Sequence, residues 1–112
     1  MTVYHPTLAA GRWQQLTLLE QMANVGSEVE RAFSWKEKNN PDRSMKAFER
    51  ALELLNLTLE SPINRGRLKE IARTKEIFVD LFYGQNQFAS SVSSLRKYFL
   101  EFACAARKNV GT

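Results

Sequence analysis

Residues 65–75 hold five basic side chains, Arg65, Arg67, Lys69, Arg73 and Lys75, against one acidic residue, Glu70, a net charge of +4. The remaining chain carries eleven basic and eleven acidic residues, so the whole formal net charge of +4 resides in that segment. On a helix, Arg65, Lys69 and Arg73 recur every four residues and form a row with steps of about 6 Å, comparable with the advance between phosphates on an extended strand. Such a row neutralises a polyanion without reading bases, because no base-reading motif is visible. Its polarity is unusual. Cations in the first turn of a helix oppose the helix dipole by about 0.3–1 kcal/mol each, and Glu76 and Asp80 farther along are also at the unfavourable end. Arg65, Arg67, Lys69 and Arg73 are therefore the expected contacts to nucleic acid or a nucleoprotein partner. The competing reading is a solvated surface whose charges pair locally or with neighbours such as Glu60, in a bundle that serves as a protein-interaction scaffold.

Other chemistry finds little support. The one histidine, His5, precedes any predicted helix, so histidine acid–base catalysis is not expected. One cysteine, Cys104, and one remote histidine do not make a zinc site, and no Glu-x-x-His pair is present for a di-iron bundle. Cys104 has no histidine to activate it. Phosphate-cradling glycine loops are missing. Asn24, Glu28 and Arg31 on one helix, and Glu49, Glu53 and Glu60 on another, read as solvated faces, with a Glu28–Arg31 pair at three-residue spacing. The expectation is a non-enzymatic protein with no catalytic residues, metal or cofactor; any small-molecule ligand is undetermined. One further charge stands out: Lys75 falls at the centre of an apolar stripe and needs a partner, for which Glu30 is the candidate.

Four segments with a helical period position these residues. The first begins near Leu18, after a capping box formed by Thr17 and Glu20, and extends to about Trp35. Its stripe runs Leu16, Leu19, Met22, Ala23, Gly26, Val29 and Phe33, interrupted by Glu30; Ala23 and Gly26 let a neighbouring backbone approach closely. Residues 36–42 (KEKNNPD) read as a surface loop. The second helix opens at Asn40-Pro41-Asp42 and buries Met45, Phe48, Leu52, Leu55 and Leu59, until SPINRG (61–66) ends it. The third spans about Arg67 to Tyr83, with Leu68, Ile71, Ala72, Phe78, Val79 and Phe82 inward and Gly84 as its C-terminal cap. Within it, EIFVDLFY (76–83) is rich in strand formers, but the run keeps the phase set by Leu68 and Ile71. The fourth spans about Ser91 to Arg107 on the stripe Phe88, Val92, Leu95, Phe99, Phe102 and Ala106.

Helices of this length joined by short connections predict an all-α, antiparallel up-down-up-down four-helix bundle over residues 13–108, with tails at 1–12 and 109–112. A chain of 112 residues, 44% apolar and 25% charged, suits one such domain, and a multidomain enzyme is not expected. Ala47, Leu54 and Leu57 on helix two, and Ile77 and Leu81 on helix three, lie beside the main stripes. Together with Trp13, Trp35, Tyr83 and Tyr98 they suggest a second apolar face, hence self-association into a homo-oligomer; wide bundle stripes are the simpler explanation. No apolar run is long enough to cross a bilayer, residues 1–12 lack an apolar leader core, and a single cysteine suits a reducing compartment; a soluble, cytoplasmic protein without a membrane role is expected.

The segments 13–39, AFERALELLNLTL (47–59) and GRLKEIARTKEIFVD (66–80) resemble a group of small, uncharacterised bacterial helical proteins, a likeness that covers most of the chain and implies no assigned activity. In size, basic charge and helical pattern the chain is similar, at the level of fold, to proteins encoded by ribosomal-RNA intervening sequences and to the accessory variability determinants of retroelements. That similarity implies ring-forming helical bundles, the latter binding nucleic acid and a reverse transcriptase, although no specific motif of theirs is matched here.

Overall fold

The computed structural model describes residues 11–84 and 91–110. His5 and Phe88, and most of the expected N-terminal tail, lie outside the described residues. Four α-helices account for most of the rest: α1 (Leu18–Glu37), α2 (Pro41–Glu60), α3 (Leu68–Tyr83) and α4 (Val92–Val110). Short 3-10 helices occupy Arg12–Gln15 and Pro62–Arg67. The described residues contain no strand, so the chain is all-α, and residues 76–83 belong to α3 as their phase implied.

The helix starts follow from local chemistry. The Thr17 hydroxyl accepts from the Glu20 N–H at 3.2 Å, and the Glu20 carboxylate accepts from the Thr17 N–H at 3.0 Å, closing the capping box. Those bonds to Thr17 also hold the Glu20 carboxyl below its ordinary pKa. Asn40 caps α2 by accepting from the Arg43 N–H at 3.1 Å, with Pro41 in the first helical position. Between them α1 runs on to Glu37, so the anticipated loop shrinks to residues 38–40. Asn39, at φ 59°, makes the reversal in a left-handed conformation that asparagine tolerates better than most residues.

α1 packs most extensively against α2 and next against α4, whereas α3 rests mainly on α2. Contact on two sides explains why α1 buries a wider arc than its apolar stripe: Gln21, Val25, Glu28 and Ala32 are buried along with Met22, Val29 and Phe33. Ala23 and Gly26 sit half-buried at the α4 edge, and Glu30 is exposed. On α2 the inward side is Ala47, Phe48, Ala51, Leu54 and Leu55; Met45, expected inside, is 37% exposed, as is Leu68 at the start of α3. The flanking residues Ala47 and Leu54 are thus core, and Leu57, Ile77 and Leu81 pack partly buried against it. Trp13, expected near an interface, is also core.

Where α1, α2 and α3 meet, four phenylalanines interlock. Phe48 and Phe82 stack with centroids 4.3 Å apart, and Phe33 meets Phe78 edge-on at 5.8 Å. On the other side of α1, Gly26 carries the close approach its sequence position suggested: a Cβ there would lie 2.8 Å from the Cβ of Phe99 on α4.

Candidate nucleic-acid interface and the helix groove

Arg65, Arg67, Lys69 and Arg73 are all exposed, but they do not form one continuous row. Arg65 lies in the second 3-10 helix, and Arg67, at φ −125° and ψ 12°, is the residue before α3. A 3-10 helix advances three residues per turn, so the four-residue register breaks at Arg67, and only Lys69 and Arg73 share a line along α3.

Arg67 is anchored. Its guanidinium donates to both oxygens of the Glu70 carboxylate at 2.9 and 3.0 Å and lies 5.9 Å from the ring centroid of Phe102 on α4. The Tyr98 hydroxyl donates to the same carboxylate at 2.8 Å, tying α4 to the start of α3. Burial pushes the Glu70 pKa up, but the bonds from Arg67 and Tyr98 prevail, and the carboxyl lies below its ordinary value. Tyr98 is pushed up to about 12, first by burial and then by the adjoining Glu70 carboxylate. Arg65 and Lys69, in contrast, hold no ion pair among the described residues.

Lys75 and Glu30 are not brought together. The half-buried Lys75 amine donates to the Asn56 amide oxygen at 2.6 Å, and Glu30 pairs with Arg96 at 2.9 Å. The reason is packing: α3 lies mainly on α2, which supplies Asn56, while Glu30 stands on the side of α1 that faces α4. The one asparagine inside the apolar run of α2 was the available signal. Glu28, expected in solvent, has a side chain only 9% exposed and is held by Arg31 at 2.9 Å and Arg50 at 3.0 Å. The three-residue pairing with Arg31 is as expected; the clamp from α2 is what sequence spacing missed.

A polar network closes the end of the molecule near the N-terminus. The Trp13 indole donates to the Thr58 hydroxyl at 3.0 Å, the Gln21 amide donates to the Trp13 carbonyl at 2.9 Å, and Asn64 donates to the Gln21 side-chain oxygen and to the Thr58 carbonyl at 2.8 and 3.0 Å. All four side chains are buried. Each partner is met across more than forty positions or through a 3-10 turn, which no periodicity reveals.

The α1–α4 seam is the opposite case. Ala23, Gly26 and Ser27 on α1 face Leu100 and Ala103 on α4 across a groove of about 640 Å³, and a second hollow of about 510 Å³ continues it toward Glu20, Ala106 and Arg107. The two share Ala23, Ser27 and Ala103. Small residues on both walls leave the volume that larger ones would fill. Leu100, on the lip, is 61% exposed, the most open of the large apolar side chains described.

Among the described residues no cluster of three histidine, cysteine or acidic side chains is placed to hold a metal, and Cys104 is exposed. Nor is any described helix long and apolar enough to cross a membrane. Comparison of the chain with protein-family models, curated proteins and solved structures returns no match.

Proposed function

We propose that the protein is a non-enzymatic four-helix binding module that contacts the phosphate backbone of nucleic acid, alone or within a nucleoprotein, through Arg65, Lys69 and Arg73, with Arg67 as a fixed neighbour. The helices alternate in direction. Support for that order comes from contacts between ends: Gln21 near the start of α1 with Asn64 just after α2, Lys36 near the end of α1 with Phe82 near the end of α3, and Arg96 near the start of α4 with Glu37.

One observation carries the binding reading. Several cations elsewhere are engaged, Arg31 and Arg50 by Glu28, Arg96 by Glu30 and Glu37, and Lys75 by Asn56, whereas Lys97 and Arg107 on α4 are not, among the described residues. At the 3-10 turn into α3, Arg65 and Lys69 stand exposed without such a partner, beside the Arg67–Phe102 contact. Open charge of this kind attracts polyanions and releases their counterions. A second reading, a scaffold with no nucleic-acid role, draws on the α1–α4 groove and on the local pairing of Arg67 with Glu70.

Reversing Arg65, Lys69 and Arg73 to glutamate separates the two. Electrophoretic retardation of a short RNA or DNA by the native chain, weakening steeply with added salt and abolished in the triple variant while its circular dichroism is unchanged, supports binding. No retardation by the native chain, or retardation that the variant keeps, leaves the scaffold.

A further inference from the structure

From the α1–α4 groove we infer that this seam is a docking site for one turn-matched partner, an amphipathic helix of about three turns whose apolar side is flanked by acidic residues, supplied by another protein. The walls extend from Glu20 to Arg31 on α1 and from Arg96 to Arg107 on α4, each about 16 Å at 1.5 Å per residue. That length accepts three turns, and the apolar floor offers places for side chains spaced i, i+3 or i+4, and i+7, the pattern by which helices seat in grooves. Leu100 at 61% exposure gives the lip an apolar surface that the bundle itself leaves open.

Charge selects the occupant. Of the ionised groups around the groove, Arg31 is held by Glu28, Arg96 by Glu30 and Glu37, and Glu20 by its own cap at Thr17. Lys97 and Arg107 remain, one near each end and on the same wall, with no ion pair among the described residues. Ten residues separate them, about 15 Å along α4. A helix laid along the seam therefore meets a cation near each end, and carboxylates at those points complete the site. A second copy of this chain fits less well. A two-fold interface presents the same patch from both sides, so it would set two unpaired pairs of cations in one contact, and like charges juxtaposed oppose association.

The experiment pans a display library of helical peptides of about fourteen residues against the full chain and measures the best binder by fluorescence anisotropy. Enrichment of leucine or similar residues at helical spacing with Asp or Glu flanks is expected. Ala103→Leu, which fills the floor, should abolish binding, and Lys97→Glu combined with Arg107→Glu should weaken it at least about tenfold. Circular dichroism should show both variants folded. No enriched peptide, enrichment of basic flanks, or affinity indifferent to both variants would overturn the proposal. So would a dimer by light scattering that Ala103→Leu dissociates, since the occupant would then be a second copy.

Discussion

The end of the bundle around Trp13 and the seam between α1 and α4 solve the same packing problem in opposite ways. At the first, large and polar side chains are brought in from four separate stretches of chain and buried, and each donor finds an acceptor: indole to hydroxyl, amide to carbonyl, amide to amide. At the second, alanine, glycine and serine bring two helices together and leave volume outside the contact. A filled region contributes stability and admits nothing. An unfilled one contributes less and leaves room for a partner. The same chain thus separates the part that holds the fold from the part available for recognition.

The largest expected effect strikes the closed region. Trp13→Ala removes a fully buried indole and strips Thr58 of its donor, so it should cost about 3–5 kcal/mol in urea unfolding. A loss below 1 kcal/mol would mean that the first 3-10 helix is an ornament on the bundle and would erase the contrast. Gly26→Ala tests the seam. Alanine gains roughly 1 kcal/mol of helix propensity over glycine, but its Cβ would lie 2.8 Å from that of Phe99, an atom too near the backbone to swing aside. Overpacking of about 1–3 kcal/mol outweighs the gain, and a net loss of about 1 kcal/mol should appear in the same measurement. Stabilisation instead would show that α1 and α4 do not approach so closely.

The smallest effect concerns pH, and it probes the link from α4 to the basic turn. Tyr98 has its pKa raised in the folded state to about 12, so the folded chain retains this proton where the unfolded chain loses it. The stability it lends is complete below pH about 10 and declines as pH rises from about 10 to 12. Since the ring is only about half-buried, the decline should be shallow, and Tyr98→Phe should flatten that limb of the stability profile. An unchanged limb in the variant would detach Tyr98 from Glu70.

The parts of the fold legible in the sequence were those decided within one turn of helix. Thr17 with Glu20, and Asn40 with Pro41, marked helix starts because a cap needs only residues three or four positions away. Gly26 announced a close approach because it carries no Cβ to hold a neighbour away. The candidate site was legible as composition, in the charge of residues 65–75, but not as geometry, since the 3-10 turn that displaces Arg65 from the row depends on how SPINRG settles between α2 and α3.

By itself, the sequence determined that the chain is helical, where its first two helices begin and where its surplus charge is concentrated, all consequences of short-range bonding and of counting. Only the tertiary structure decided which flank of each helix is inside, that Glu28 and Gln21 are buried while Met45 is not, that Lys75 turns to Asn56 rather than Glu30, and that α1 and α4 leave a groove. The physical reason is that burying a polar group is costly unless a partner waits, and many of those partners lie far along the chain, on helices whose mutual arrangement no periodicity encodes.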